Sequence, residues 1–353
     1  MIRVGLIGFG MAGRVFHAPL ISSVEGLELA AVVERTSNEA AARYPGIVTH
    51  RSIEALLADK SIRLLVVATP NGTHFSIAKE ILKAGKNVVV DKPMTLTSAQ
   101  AAELIALSWK HKALLVPFHN RRWDSDFLTV QKLLDEGLLG RLVSFESRLD
   151  RWRPAPLTKR LWKENPESGG GTLLDLGPHL VDQALVKFGK PEGISADVVR
   201  EKDGPGVNDS FTIRLRYSAL SITLGANGLS LPPMPRFHLR GTAGGYVKNG
   251  VDPQESALQK ITRIEDSNWG EEPRHDWGLL HVGIDGGSIS RPVPALHGDY
   301  RRFYLGVRDA LEGLGPAPVP AVDGWRVARL LEWAVESAGR RCEIQCDWSG
   351  EPD

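Results

Sequence analysis

Short apolar runs alternate with amphipathic segments through the first 118 residues, and that alternation predicts the architecture. The runs Ile2–Ile7, Leu27–Val33, Arg63–Ala68, Asn87–Asp91 and Ala113–Pro117 are crowded with Val, Ile and Leu, mostly without polar alternation. Strands buried on both faces of a parallel sheet have this pattern. Between them, Thr73–Ala84 carries Phe75, Ile77, Ala78, Ile81 and Leu82 as an apolar stripe and meets Gly85, which reads as a helix with a glycine stop. Strand, helix, strand at this spacing builds right-handed βαβ units and a doubly wound α/β sheet.

After Pro117 the rhythm changes. A helix is predicted over Asp124–Glu136, ended by Gly137, then a strand over Arg141–Leu149 and a basic loop bearing Trp and Pro from Asp150 to Ser168. Residues 194–249 read as strands joined by turns at Asp203-Gly204-Pro205-Gly206, Ala226-Asn227-Gly228 and Gly244-Gly245, which suggests a mainly antiparallel sheet. Residues 250–298, rich in Gly, Pro and Trp, read as irregular, and two helices are expected near Asp299–Glu312 and Gly324–Arg340. The expected plan is an α/β domain over residues 1–118 and an α+β domain over 119–353, the last helix packing back on the first domain. An open sheet in the second domain is expected to leave an apolar face in need of cover.

Composition narrows the class. The 353 residues are 42% hydrophobic and 24% charged, with 43 basic against 42 acidic residues and a formal charge of +1. Collagen-like, disordered and disulfide-scaffold readings drop out, and nothing in the charge favours nucleic acid or an anionic membrane as partner. The start, Met1 to Gly8, lacks the basic region, long apolar stretch and cleavage site of a signal peptide, so a cytoplasmic location is expected. Cys342 and Cys346 are four residues apart and fit one last helical turn; two thiols without His make a poor zinc site.

Gly8-Phe9-Gly10-Met11-Ala12-Gly13 fits G-x-G-x-x-G between an apolar strand and a helix running through Val15 to Ile21. The first glycine permits the tight turn, the second lets a pyrophosphate approach the backbone, and the third lets helix and strand pack closely. The helix terminus then holds phosphate. Glu34, at the end of the second strand, is placed to accept from an adenosine ribose and favours NAD. Arg35, Thr36 and Ser37 follow it as a phosphate-binding set for NADP, so preference between the two stays open.

Asp91-Lys92-Pro93 places a lysine just beyond a buried strand, on the sheet edge where ligands bind. Downstream, Gly169-Gly170-Gly171 precedes Asp175, His179 and Asp182, which fall on one stripe of a helix that Pro178 kinks or starts. An Asp beside a His orients the imidazole for proton transfer; the rival, an Asp-His-Asp metal site, is disfavoured because triads on a single helix seldom enclose a metal.

Taken in order, the glycine fingerprint, Ala68-Thr69-Pro70-Asn71 with His74, Asp91-Lys92-Pro93 and the Asp175/His179 element resemble the Gfo/Idh/MocA family of NAD(P)-dependent sugar and cyclitol oxidoreductases. His119 to Phe127 and Asp150-Arg151-Trp152-Arg153-Pro154 are similar to a narrower branch that contains NADP-dependent scyllo-inositol dehydrogenases. The family motif usually reads Glu-Lys-Pro, where this chain has Asp91; Glu34 replaces the small residue common in NADP-using relatives.

The resemblance implies a Rossmann domain followed by a substrate-binding and oligomerisation domain. It implies Lys92, Asp175 and His179 as catalytic group, and a dinucleotide site of Gly8, Phe9, Gly10, Met11, Ala12, Glu34, Arg35, Thr69, Asn71, His74, Asp91, Lys92 and Asn120. Asn71 is alternatively a helix cap. Arg122, Trp162 and Tyr300 are substrate candidates, with Arg121 a salt-bridge residue instead, Trp162 a stacking or core group, and one of Tyr300 and Tyr304 facing the pocket. The implied reaction moves hydride between NAD or NADP and a secondary hydroxyl or ketone of a polyol or sugar. The alternatives are a nucleotide-sensing protein without chemistry and a redox-neutral enzyme that recycles its dinucleotide. A homodimer or homotetramer is expected.

Overall fold

The structure, a computed structural model, describes residues 1–155, 161–260, 264 and 268–352; part of the loop read between Asp150 and Ser168 thus lies outside the described residues. Six parallel strands form the first sheet: β1 (Ile2–Ile7), β2 (Leu27–Val33), β3 (Val48–His50), β4 (Leu64–Val67), β5 (Asn87–Val90) and β6 (Leu115–Pro117), ordered β3-β2-β1-β4-β5-β6. That order reverses direction between β1 and β4, which opens the crevice where a dinucleotide lies across a doubly wound sheet. Alternate side chains feed two cores: Val4, Leu6, Val66 and Val89 on one face, Ile7, Leu65, Val67 and Val90 on the other. Helices His74–Lys83 and Ser98–His111 cover the second face, and Arg301–Leu311 brings Phe303, Tyr304 and Val307 to the first. Gly85 closes its helix as expected, at φ +70° with its N–H bonded to Leu82 O.

Nine strands form the second sheet: β7 (Leu142–Arg148), β8 (Gly193–Val199), β9 (Ser210–Arg216), β10 (Ser221–Asn227), β11 (Phe237–Gly241), β12 (Gly244–Lys248), β13 (Leu279–Ile284), β14 (Gly287–Pro292) and β15 (Ile344–Gln345). Among the described residues of this sheet only β10 and β7 pair in parallel. The inner face, with Phe145, Phe211, Ile213, Ile222, Leu224 and Leu239, packs on helices Thr172–Phe188 and Ala321–Arg340. The latter also touches helix Ser98–His111, where Glu332 accepts from Ser98 N at 2.8 Å and Oγ at 2.6 Å.

Several expectations are corrected here. The outer face of the second sheet is not apolar: Ser144, Glu146 and Arg148 on β7, Thr212 and Arg214 on β9, and His238 and Arg240 on β11 alternate with the buried residues. The segment read as irregular contains helix Gln254–Gln259 and the hairpin β13–β14. The glycine pair Gly244-Gly245 begins β12, the turn itself being Thr242-Ala243, and a turn at Tyr217–Leu220 joins β9 to β10. Cys342 and Cys346 lie beyond the last helix, which ends at Arg340, and both are free thiols. No helix among the described residues is long and apolar enough to cross a membrane.

A buried cation fastens this second core. Arg236 is 2% exposed; its guanidinium donates to Asp126 Oδ2 at 3.2 Å, Ser147 Oγ at 2.5 Å and Gln183 Oε1 at 2.9 Å, joining sheet to two helices. Removing one partner strands the other in a medium that cannot solvate it. Arg236→Ala is expected to lower unfolding stability by about 3–5 kcal/mol in chemical denaturation; a loss within ordinary surface scatter contradicts this.

Candidate active site

The glycine fingerprint has three distinct local reasons. Gly8 leaves β1 at φ +96°, and a Cβ there would lie 2.7 Å from Ala68 O. At Gly13 a Cβ would fall 2.2 Å from Gly8 O, so only glycine lets the following helix approach. Gly10 has no heavy atom within 4 Å of that position, because it faces open space. The helical stretch Gly13–His17, continued by Ala18–Ser22, starts here, with Arg14 N bonded to Gly10 O. These residues fit a dinucleotide: bare backbone and a helix start border a cavity of about 900 Å³ that crosses the switch point between β1 and β4.

Most of the expected cofactor residues line that cavity: Gly8, Phe9, Gly10, Met11, Ala12, Glu34, Arg35, Thr69, Asn71, Asp91, Lys92 and Asn120. Three behave differently from expectation. Glu34 is 5% exposed, and its carboxylate accepts from Ser37 Oγ at 2.6 Å, Glu39 N at 3.1 Å and Ala40 N at 3.0 Å. It caps helix Glu39–Arg43 and orders the loop after β2. Asn71 is not a helix cap; its amide donates to Gly169 O at 2.9 Å and links β4's loop to the triple glycine. His74 does not line the cavity. Its Nδ1 faces Pro93 O at 2.8 Å and its Nε2 faces Thr69 O at 2.9 Å, so it braces two lining loops from behind.

The chemistry-bearing groups converge from distant parts of the chain. Lys92, at the end of β5, donates to Asp175 O at 2.6 Å and to Asp175 Oδ1 at 3.1 Å. Lys163 donates to the same Oδ1 at 2.6 Å. Burial alone raises the Asp175 pKa, but Lys92 and Lys163 outweigh it and hold the carboxyl well below its ordinary value. Helix Thr172–Phe188 contains Pro178 six residues inside its start, so the proline does not begin it, and presents His179 one turn beyond Asp175. His179 lines the cavity with its Nδ1 sealed and unpartnered, leaving Nε2 toward the open space. Burial first, then the charges of Lys92 and Arg121, push its pKa well below 6.5. Asp91 is also held low: burial raises it, and His17 with Lys92 outweighs that.

The other candidates separate. Asp182 shares the helix stripe but is taken by Arg122, which donates from Nε at 2.8 Å and Nη2 at 2.5 Å, and also reaches Asp323 at 2.8 Å. Arg122 is therefore a half-buried ion-pair residue and does not line the cavity. Tyr300 is fully buried and donates to Asp124 Oδ1 at 2.6 Å, while Tyr304 OH meets His17 Nδ1 at 2.7 Å; neither faces the pocket. Arg121 does pair, with Asp124 at 3.1 Å and Glu255 at 2.5 Å, yet it also lines the cavity. Trp162 lines it too, with the Lys163 ammonium 5.6 Å from its ring centroid. Sequence reasoning missed Arg151, Arg153, Lys163 and Glu255 on this wall. The clustered cations of Asp150–Arg153 were the available signal; Glu255 had none.

Fold and cavity together define an oxidoreductase that works with a nicotinamide dinucleotide. A family model described as "Oxidoreductase family, NAD-binding Rossmann fold" matches residues 2–119, and the GFO/IDH/MocA C-terminal domain matches 127–247. The oxidoreductase YdgJ of Escherichia coli is 41% identical over 97% of this chain and 98% of its own. The NADP(+)-dependent scyllo-inositol 2-dehydrogenase IolW of Bacillus subtilis is 31% identical over 98% and 96%. The solved structure of yvaA from Bacillus subtilis superposes with a TM-score of 0.93 at 30% identity, covering 98% of each chain. The chain belongs to the Gfo/Idh/MocA family.

Gly13→Ala places a methyl against the Gly8 carbonyl. Overpacking of this kind costs about 1–3 kcal/mol, and the loss is expected as weaker NADPH or NADH binding in fluorescence titration of a protein that still folds. Undiminished affinity for both would contradict the packing role.

Proposed function

We propose that the protein is a dehydrogenase that oxidises a secondary hydroxyl of a cyclitol or sugar with NAD(P), or reduces the matching ketone. The observation that carries the reading is the Lys92–Asp175 contact, at 3.1 Å, on the wall of the same cavity that the glycine fingerprint borders. His179 supplies a neutral imidazole there, fit to accept a hydroxyl proton at Nε2. Lys92 holds the substrate oxygen and stabilises negative charge growing on it as that proton leaves. Asp175 fixes the Lys92 ammonium and orients the hydroxyl toward His179. The dinucleotide, when bound, supplies the acceptor or donor of hydride.

A cyclitol or sugar substrate is supported by the polar character of this wall and by the likeness to IolW. NADP is accommodated as well as NAD. The Glu34 carboxylate is engaged with Ser37 and the helix start rather than presented to a ribose, while the exposed Arg35 lines the same end of the cavity. Arg35→Ala is expected to weaken NADPH relative to NADH by about tenfold, the worth of one charge-assisted hydrogen bond. Glu34→Gln is expected to weaken both nucleotides together through the loop. A Glu34→Gln protein whose preference moves sharply toward NADP would show that this carboxylate does read the ribose.

The reading is tested by following net NAD(P)H formation with a panel of inositols and aldoses. His179→Ala is expected to lower turnover by about 100- to 10,000-fold while nucleotide binding persists. Because burial and neighbouring cations disfavour the imidazolium, the proton-accepting form survives as pH falls through 6.5. The acid limb of kcat/KM for polyol oxidation is therefore expected below pH 6.5. Absence of reduced cofactor with every polyol, or unaltered turnover in His179→Ala, overturns the proposal.

A further inference from the structure

The substrate end of the cavity carries more positive charge than its own carboxylates engage. Asp175 is shared by Lys92 and Lys163, and Glu255 accepts from Arg121. Arg151 and Arg153, from the segment following β7, line the same end, and among the described residues neither side chain has a hydrogen bond or ion pair. Their backbones are fixed: Arg151 N bonds Asn227 O at 2.8 Å and Arg153 N bonds Gly228 O at 2.7 Å. Two guanidinium groups are thus carried toward the cavity on an anchored strand-like segment. Burial lowers the Arg151 pKa, whereas Arg121 and Arg122, each held by carboxylates, are raised. An unmatched, partly desolvated guanidinium is costly unless an anion meets it.

Beside this wall lies a small side pocket of about 80 Å³. It shares Arg151, Arg153 and Lys163 with the main cavity and adds Lys202 and the start of the 17-residue helix Thr172–Phe188. Among the described residues its carboxylates make no hydrogen bond or ion pair with the side chains of Arg151, Arg153 or Lys202. Asp175 is engaged as described, Asp209 accepts from Glu201 N at 2.8 Å and Lys202 N at 3.1 Å, and Glu164 sits on the same wall. The first amides of the helix are satisfied by Asn208, through O at 2.9 Å and Oδ1 at 2.8 Å, so the helix contributes its positive end rather than free donors. The space equals that of about two or three waters: room for a carboxylate or phosphate, too little for a second sugar ring.

We propose that the side pocket is a subsite for an anionic group on the substrate, so that the enzyme acts on a sugar acid or a sugar or cyclitol phosphate in preference to a neutral polyol. The inference rests on the dehydrogenase reading above. Arg151 and Arg153 grip the anion, Lys202 closes the far side, and the grip holds the remote hydroxyl against Lys92 and His179. The phosphates of the dinucleotide belong to the glycine loop and the Arg35 end, on the other sheet.

Steady-state kinetics of the full-length protein test this with matched substrates: gluconate, glucuronate and glucose 6-phosphate against glucose, and inositol 1-phosphate against inositol, each with NAD and with NADP. At least one acidic member is expected to exceed its neutral parent in kcat/KM by about tenfold or more. The larger gain, with carboxylate or with phosphate, identifies the anion. Arg151→Gln and Lys202→Gln, the latter outside the main cavity, are each expected to pull that acidic-over-neutral ratio toward one. Equal or better use of neutral polyols, with a ratio insensitive to both substitutions, overturns the subsite and leaves the dehydrogenase reading standing. Failure of every substrate, acidic and neutral, overturns both. An Arg151→Gln protein that loses nucleotide affinity with its substrate ratio intact assigns this arginine to the cofactor and also overturns the subsite.

Discussion

The Asp175 carboxylate lies between two ammonium groups that reach it from different parts of the chain, Lys92 from the end of β5 and Lys163 from the loop ahead of the triple glycine. Three groups held this closely fix the distance between the first sheet and the helix that carries His179. The same contact sorts protonation states. Two cations keep Asp175 ionised despite its burial, while cations and burial keep His179 neutral. One positive field thus lowers the pKa of both neighbours on this helical face, leaving an ionised carboxylate beside a neutral imidazole. Remove those cations and the alignment goes, and with it the ionised state of Asp175, while burial alone still favours the neutral imidazole.

A second constraint acts at the other end of the cavity, through backbone rather than charge. Gly8 and Gly13 let two segments approach to distances that a Cβ forbids, and the opening at Gly10 follows from that approach. Behind it, buried polar side chains act as braces. His74 spans the Thr69 and Pro93 carbonyls, and Glu34 gathers Ser37 and two amides of the next helix. Neither side chain is free to turn toward a ligand without leaving backbone groups unmet, which would cost about 1–3 kcal/mol for each buried group stranded.

What was legible in the sequence follows from where periodicity is strong. The strands Ile2–Ile7 and Leu27–Val33 are visible to the residue because both faces are buried and every position is apolar or nearly so. Val48–His50 is three residues long on the sheet's edge, and β14 is exposed along its length, so neither has a hydrophobic pattern to read. Lys92, Asp175 and His179 stood out through Pro and Gly neighbours that shape backbone. Their convergence is tertiary and had no local signature. For the same reason Arg122 and Tyr300 were attractive as pocket residues: a sequence shows that a side chain is polar and large, not whether a carboxylate already holds it.

That distinction explains the arginines better than their spacing does. Arg121 and Arg122 are adjacent, yet one ends on Asp124 and Glu255 and the other on Asp182 and Asp323. Each is matched within the fold, and their raised pKa values say that the charged form is the one the fold stabilises. Arg151 has the opposite sign: burial lowers it by more than the charges of Asp175 and Glu255 raise it. A fold gains nothing from a cation in that condition, since replacing it by a neutral side chain would relieve the desolvation. Its presence beside Lys92 is intelligible when the missing counter-charge arrives with the substrate. Specificity of this kind is strong because a neutral competitor leaves the guanidinium unpaired when it binds.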